Sequence, residues 1–226
     1  MKVLGTSTRN IVSSLWRSSN TPVTQRHTEC KFLPGIHPHH LWNVIRDVDA
    51  YSEFLPLCHH SKVIRRHGCE WMDATLTVGV PPLLMETFIS RVHVTTIPAP
   101  NYNKKEEEYN KSTPLKPLSE TLIVEASSIQ SKMLDSLSSR WELQAKVISD
   151  ENPSCSPSDF YHNSMGGDAK PQIGTLVNFW MEMTVSDPLI VTGLNHMLKE
   201  VAGRQVTAFE QRCRTVPFHK KDNVIS

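Results

Sequence analysis

The chain lacks any long apolar run, and this absence excludes one class of protein. None of its hydrophobic stretches approaches the roughly 18 residues that a membrane-spanning helix needs. We therefore expect contact with a membrane only at its surface. The hydrophobic content of 38% and the charged content of 21% are ordinary for a globular protein. The 226 residues suffice for one sizeable domain or two small ones.

Cysteine pairs with metal or redox spacing are also lacking. No C-x-x-C motif occurs, and the count is odd, the residues being Cys30, Cys58, Cys69, Cys155 and Cys213. This pattern argues against a disulfide framework or a zinc ribbon and favours free thiols in a reducing compartment. Histidines flank Cys58 in sequence at His37, His39, His40, His59 and His60. No recognised zinc spacing joins them, so we expect exposed loop histidines and no metal site.

The familiar signatures of catalysis are missing too. The chain has no G-x-S-x-G motif, no glycine-rich phosphate loop and no cysteine beside a plausible base. Four carboxylates fall in predicted strands: Asp73, Glu86, Glu142 and Glu182. We expect them to point outward and to pair across strands with Arg65, Arg91, Arg140 or Lys146. A catalytic carboxylate inside the sheet is the alternative.

Acidic residues are absent from the first 28 positions. Met1–Thr28 carries four of the 24 basic residues and many serines and threonines, a composition that matches a mitochondrial transit peptide. A disordered leader without a targeting role is the alternative. The remaining chain has 20 basic residues against 23 acidic ones, so it offers no basic field for nucleic acid.

Apolar periodicity predicts the elements of the fold. The predicted strands are Glu29–Leu33, Lys62–Arg66, Trp71–Val80, Leu84–Thr96, Thr121–Ser128, Arg140–Val147 and Thr175–Val185. Two short helices, Pro38–Asp47 and Val48–Leu57, follow the first strand, and one long helix spans Asp187–Arg214. Two polar segments, Ile97–Pro117 and Ser149–Pro171, read as mobile insertions. The class is therefore α+β, with a curved antiparallel sheet wrapped around a long C-terminal helix.

A curved sheet that grips one helix leaves space between them where side chains are small or flexible. The residues predicted to line such a cavity are Trp141, Leu143, Val177, Phe179, Met181, Met183, Leu194, Leu198, Val201 and Gln205. The alternative is that these side chains fill a solid core. Gln205, in the middle of the apolar stripe of the helix, would bond either a ligand carbonyl or the nearby backbone or Arg212.

Four segments resemble the coenzyme Q-binding protein family of the START-like superfamily, which includes polyketide cyclases and lipid-transport domains. They are DAYSEFLPLC (Asp49–Cys58), DATLTVGVPPLLMETFISRV (Asp73–Val92), SSRWEL (Ser138–Leu143) and AFEQR (Ala208–Arg212). The resemblance is to the plant- or eukaryote-type mitochondrial members and runs from about Glu29 to Arg214. It divides the chain into a leader (1–28), a START-like domain (29–216) and a tail (217–226).

The resemblance implies the helix-grip fold and a non-catalytic lipid chaperone without a catalytic cofactor. Its ligand would be ubiquinone or a polyisoprenoid precursor, bound in the apolar cavity to support respiratory electron transport and ubiquinone biosynthesis. The expected location is the matrix side of the mitochondrial inner membrane, with quinone-biosynthesis or respiratory complexes as partners. Many members carry paired phenylalanines where this chain has Leu194–Met197. A cyclase- or hydratase-type enzyme, or a protein- or ribosome-interaction module, remains the alternative.

One further group of residues is predicted to gate the cavity or touch the membrane. The turn Val80–Met85 combines prolines with apolar residues, and the second short helix presents aromatic ones at helical spacing. The residues assigned to this role are Tyr51, Phe54, Leu57, Pro81, Pro82, Leu83 and Leu84.

Overall fold

The structure, a computed structural model, describes residues 21–82, 84–98, 120–148 and 172–218. Its strands are β1 (Val23–Pro34), β2 (Cys58–His67), β3 (Trp71–Val80), β4 (Leu84–Pro98), β5 (Glu120–Gln130), β6 (Ser136–Ile148) and β7 (Gln172–Val185). They form one antiparallel sheet in the order β1-β7-β6-β5-β4-β3-β2. The helices are α1 (Pro38–Arg46), α2 (Tyr51–Phe54) and α3 (Pro188–Thr215), with a 3₁₀ turn at Val48–Ala50.

This element order confirms the predicted α+β class and the helix-grip arrangement. The curved sheet holds α3 against β1 and β7, and α3 also packs on α1 and α2. The core lies between the helix and the concave face of the sheet, where every second strand side chain points away from water.

The last strand shows most clearly how the sequence specifies the sheet. Along β7 the odd-numbered residues from Val177 to Val185 are buried and the even-numbered ones between them are partly exposed. Successive strand side chains point to opposite faces, so this alternation turns one apolar row toward α3. The predicted pattern of this strand is confirmed, and the strand extends three residues further toward its N-terminus, to Gln172.

The first predicted helix is confirmed and the second is shorter than expected. Pro38 occupies the first turn of α1, and His37 Nδ1 accepts a hydrogen bond from the backbone N–H of His39 (3.2 Å) at its N-cap. The segment Val48–Leu57, predicted as one helix, is a 3₁₀ turn followed by the single turn α2. Leu55 ends α2 in an extended conformation because the residue before a proline disfavours helical dihedrals.

The long C-terminal helix begins and ends within one residue of its predicted limits. In its second half Ala202, Val206, Phe209 and Cys213 are buried, at the spacing of three and four residues that keeps side chains on one helical face. The side chains of residues 188–201 lie outside the described part of the structure. The contacts between helix and sheet are therefore described for the C-terminal half of α3.

The boundaries of the domain differ from the prediction at its start. Strand β1 begins at Val23 and pairs with β7 along its full length, so Val23–Thr28, assigned to the leader, belongs to the sheet. Strand β4 continues to Pro98, two residues beyond its predicted end. The predicted transit peptide within residues 1–20, the insertion at 149–171 and most of the insertion at 97–117 lie outside the described residues, as does the tail beyond 218.

Three of the four strand carboxylates point outward as predicted. The predicted pairing across strands is confirmed for Asp73, which pairs with Arg91 across β3 and β4. Glu142 pairs with Arg140 of its own strand, and Glu182 pairs with Arg26 of β1, which was not a predicted partner. The prediction for Glu86 is wrong because even-numbered positions of β4 face the concave side, and Glu86 is one of them.

Two other expectations concern thiols and membrane spans. Cys58, Cys69 and Cys213 are free thiols as expected, whereas Cys30 is disulfide-bonded, which corrects the prediction for that residue.

Within the described residues, no helix has both the length and the apolar character needed to cross a bilayer.

Candidate ligand-binding cavity

A cavity lies between the concave face of the sheet, α2 and the C-terminal half of α3. It contains about 1380 Å³ of atom-free space, a figure that includes the part open to solvent. Its apolar wall is formed by Leu76, Val78, Phe88, Val92, Val124, Met133, Leu134, Leu137, Trp141, Met181, Met183 and Phe209. A cavity of this kind, apolar with a few polar groups, is the usual form of a small-molecule site.

The cavity exists because several inward positions carry small side chains. Ser90 of β4 pairs with Ser128 of β5, and Ala126 of β5 pairs with Ser139 of β6. All four line the cavity, as does Gly79 at the end of β3. Where a strand pattern would normally place leucine or valine, these residues leave the volume between sheet and helix unfilled.

The structure brings four of the predicted cavity residues to the wall. They are Trp141 of β6, Met181 and Met183 of β7, and Gln205 of α3. The two methionines and Trp141 project from neighbouring strands on the concave face. Methionine is unbranched and flexible, so this wall adapts to ligands of irregular shape.

Three other predicted residues lie in the solid core instead of at the wall. Leu143 and Val177 are cross-strand partners with no solvent exposure, and Phe179 packs behind Trp141 with ring centroids 4.4 Å apart. They follow the same alternation as the wall residues, but Leu143 comes after Trp141 along β6, and Val177 and Phe179 come before Met181 along β7. The side chains of the remaining predictions, Leu194, Leu198 and Val201, fall outside the described part of α3.

An aromatic cluster closes the cavity between α2 and α3. The ring of Phe209 makes edge-to-face contacts with Tyr51, Phe54 and Trp141 at centroid distances of 5.4, 5.2 and 4.9 Å. The Tyr51 hydroxyl donates to the backbone carbonyl of Ile45, and burial raises the pKa of this phenol. Tyr51 is thus a protonated, structural donor that fixes α2 on α1.

The predicted gate residues divide into two groups. Tyr51 and Leu57 line the cavity, while Phe54 reaches it through its contacts with Tyr51 and Phe209. Leu57 has a positive φ of 62°, and its carbonyl accepts a hydrogen bond from Gly79 N–H (2.9 Å), which fixes the loop after α2 to the end of β3.

The remaining gate predictions follow Gly79 and Val80 in the sequence. Pro81 and Pro82 are exposed there. Leu83 lies outside the described residues, and Leu84 begins β4 with a side chain that is not described.

Gln205 has an amide with unused hydrogen-bonding capacity. In the described residues no side chain or backbone group bonds this amide, and Gln205 lines the cavity. Arg212, the expected alternative partner, donates instead to Glu53 of α2 (2.7 Å) and lies over the ring of Phe54. The amide therefore offers both a donor and an acceptor to a bound molecule.

Glu86 is the functional candidate that the sequence pattern was expected to place on the other face. Its side chain lines the cavity and the residue is only 6% exposed. A signal for this position is present in the sequence, since Phe88, Ser90 and Val92 follow it at alternate positions of the same strand. The general preference of carboxylates for solvent points the opposite way, and here the register of the strand prevails over it.

Across the described residues, no group of three or more His, Cys, Asp or Glu side chains lies close enough to hold a metal ion. His39 instead bonds Glu120 (2.7 Å), and His37 stacks on Phe218. His59 hydrogen-bonds the carbonyl of Gly79 (2.9 Å), a residue that lines the cavity.

The sequence and fold define the family. Residues 35–210 match the Polyketide cyclase / dehydrase and lipid transport family over most of the chain, and the protein belongs to this family of the START-like superfamily. Comparison with curated proteins gives no match.

The fold is shared with solved structures, of which two are described. A protein from Thermus thermophilus aligns with a TM-score of 0.52 at 10% identity, covering 84% of this chain and 97% of that one. A fragment of a STAR-related lipid transfer protein from Xanthomonas axonopodis aligns with a TM-score of 0.51 at 11% identity, covering 84% and 85%. At these identities the likeness is one of fold.

Proposed function

We propose that this protein binds coenzyme Q (ubiquinone) or its polyisoprenoid precursors and acts as a non-catalytic lipid chaperone. In this role it supports respiratory electron transport and ubiquinone biosynthesis. The observation that carries the proposal is the mostly apolar cavity between sheet and helix, in a chain whose segment Asp73–Val92 resembles the coenzyme Q-binding proteins. Membership of a family that includes lipid-transport proteins supports an apolar ligand.

The energetics of the cavity suit a polyisoprenoid chain. Each CH₂ group removed from water contributes about 0.8 kcal/mol, so a lined cavity can compete with a bilayer for such a molecule. The lining is rich in aliphatic side chains and contains three methionines, Met133, Met181 and Met183. These side chains make apolar contacts that need no fixed direction, which suits a repetitive hydrocarbon tail.

Polar groups in the same cavity suit a ring that carries oxygens. The Gln205 amide can donate to a carbonyl oxygen, and the hydroxyl groups of Ser90 and Ser139 lie on the concave face that lines the same space. A quinone ring needs only one or two such bonds for orientation. No proton transfer is required for binding.

The exposed turn after β3 supports a role at a membrane surface. Pro81 and Pro82 are exposed, and Met85, the second residue of β4, is 39% exposed. We propose that this turn touches the inner mitochondrial membrane on its matrix side while the ligand enters. Pro82→Asp should then reduce the fraction of protein that sediments with vesicles, and unchanged sedimentation would contradict this contact.

An enzyme of the cyclase type is the second candidate, and Glu86 is the observation that favours it. Such an enzyme needs a titratable group inside the cavity, and Glu86 provides a carboxylate there. Steady conversion of a bound polyketide-like substrate, lost in Glu86→Gln, would support this alternative over the chaperone.

Extraction of quinone from vesicles tests the chaperone directly. The full chain would be mixed with vesicles that contain a polyisoprenoid quinone, and the protein-bound quinone would be measured after the vesicles are sedimented. We expect near-stoichiometric binding by the natural sequence. Ala126→Phe fills the cavity from β5 and should reduce the bound quinone at least tenfold.

The matched control is Ser127→Phe, which adds the same ring one residue away on the exposed face. It should bind as the natural sequence does. Equal loss in both variants, or no quinone bound by the natural sequence, would contradict the proposal.

A further inference from the structure

Glu86 is a carboxylate buried in an otherwise largely apolar cavity, and its two oxygens differ in the hydrogen bonds that they accept. Oε1 accepts three hydrogen bonds, from Ser131 Oγ (2.6 Å), the backbone N–H of Lys132 (2.7 Å) and the backbone N–H of Met133 (3.2 Å). In the described residues, no hydrogen bond reaches Oε2. The β5–β6 loop therefore holds one oxygen and leaves the other to the cavity.

Among the described residues, no side chain supplies a partner for the second oxygen of Glu86. The described residues that line the cavity include no lysine, arginine or histidine, and Glu86 is the single carboxylate among them. Glu86 lines a cavity that is partly open to solvent, so the free acceptor capacity of Oε2 is available to water or to a bound molecule. A ligand that excludes water and offers no donor would leave this oxygen unpaired, which costs free energy, whereas a ligand donor would replace the lost bond.

The loop bonds leave Oε2 as the oxygen that a ligand can reach. In its carboxylate form Glu86 has only acceptors, and Oε1 already accepts the three loop bonds. A ligand hydroxyl group would donate to Oε2. A ligand carbonyl would place two acceptors against each other, which is unfavourable.

We propose that Glu86 is the anchor for a hydroxyl group of the ligand, and that the protein therefore holds a hydroquinone or phenolic form in preference to the oxidised quinone. This inference rests on the proposed function, and it specifies which redox form of the ligand is carried. Gln205 does not discriminate between the two forms, because its amide both donates and accepts. The selectivity lies at Glu86.

A competition experiment with the full chain measures the preference. The protein is equilibrated without oxygen with a fixed mixture of a short-chain ubiquinone analogue and its hydroquinone, and the bound fraction is then separated and quantified by chromatography. We expect the bound hydroquinone-to-quinone ratio to exceed the free ratio by about tenfold or more, the effect of one hydrogen bond to a charged group.

Glu86→Gln tests the residue because it keeps the shape of the side chain. The amide oxygen can still accept the three loop bonds, while the NH₂ group now replaces Oε2 and presents a donor to the cavity. The preference should be lost or reversed toward the quinone. Glu70→Gln, in the exposed turn between β2 and β3, should leave it unchanged. Equal ratios in bound and free fractions, or a preference that persists in Glu86→Gln, would overturn the inference.

A measurement on the natural sequence keeps the test independent of how the variant folds. The dimethyl ether of the hydroquinone retains the ring and tail but has no hydroxyl donor. It should bind at least about tenfold more weakly than the hydroquinone. Equal binding of the two compounds would overturn the role of Glu86 while the proposed function stands.

Failure of the proposed function gives a different result. If neither the quinone nor the hydroquinone binds, the same comparison is made with a long-chain alkylphenol and its methyl ether. A preference for the phenol that disappears in Glu86→Gln would support the hydroxyl anchor and contradict the quinone ligand. Absence of that preference, or of binding, would overturn both.

Discussion

The concave face of the sheet has a solid half and a hollow half, although both follow the same alternation. In the solid half Leu143, Val177 and their neighbours fill the space beneath the helix. In the hollow half Ser90, Ala126 and Ser139 occupy equivalent inward positions and leave a cavity. The difference shows that strand periodicity selects the face, whereas side-chain size decides whether that face becomes core or binding site.

The largest expected effect comes from truncation in the solid half. Phe179→Ala should lower the free energy of unfolding by about 3–5 kcal/mol, because it opens a new cavity among large side chains. Met183→Ala, at the wall of the existing cavity, should cost about 2 kcal/mol, since part of its surroundings is already empty. Denaturant titration of both variants measures the contrast, and equal losses would remove the distinction between the halves.

Enlargement of a side chain should show the same contrast, with the solid half again the more sensitive. Ala74 of β3 is fully buried in the core, so Ala74→Phe should destabilise the protein by about 1–3 kcal/mol through overpacking. Ala126→Phe enters the cavity and should cost less than about 1 kcal/mol. A severe loss of stability in Ala126→Phe, measured by thermal unfolding, would mean that the cavity cannot accept added volume.

Backbone packing at the edge of the solid half gives a related prediction. A Cβ atom on Gly174 would lie 2.3 Å from the carbonyl oxygen of Leu33, so the β1–β7 pair cannot accept it without moving. Gly174→Ala should cost about 1–3 kcal/mol. Gly203→Ala in α3 is the control, because its nearest neighbour is 3.9 Å away and alanine favours helix. A neutral Gly174→Ala would contradict the close approach.

The smallest effect concerns Asp73, a buried carboxylate on the face of the sheet opposite to Glu86. Hydrogen bonds from Arg91, with a further bond from His67, lower the pKa of Asp73 on the convex face to about 2. The folded pKa lies below the ordinary value of 3.8, so this stabilisation is complete above about pH 3.8 and is lost as the pH falls through 2.

Asp73→Asn should accordingly lower stability by up to about 1 kcal/mol at neutral pH, and the difference from the natural sequence should shrink on acidification. Unfolding curves between pH 2 and pH 6 test this. A difference that grows toward low pH would contradict the assignment to Asp73.

Much of the fold follows from local patterns in the sequence. The alternation along β7 and the capped, amphipathic start of α1 place these elements within a few residues of their observed limits. Strand β1 is longer than its pattern predicts because an edge strand with exposed polar residues, such as Arg26, gives a weak apolar signal.

The cavity is harder to predict than the sheet around it. Four of the predicted residues reach its wall, but Leu143, Val177 and Phe179 do not, because the position of a cavity along a strand depends on residues of neighbouring strands. The loop bonds to Glu86 come from Ser131–Met133, 45 or more residues away in sequence, and no local pattern reveals them. Only the alternation of residues along β4 indicates that Glu86 faces the concave side.

The most direct test of the account is the identity of the molecule that the protein carries. The full chain would be purified from a host that makes polyisoprenoid quinones, extracted with organic solvent and analysed by mass spectrometry, with Ala126→Phe and Ser127→Phe treated in parallel. The account predicts a quinone or quinol in near-stoichiometric amount from the natural sequence and Ser127→Phe, and little from Ala126→Phe. An empty extract, or a different lipid in its place, would contradict the account.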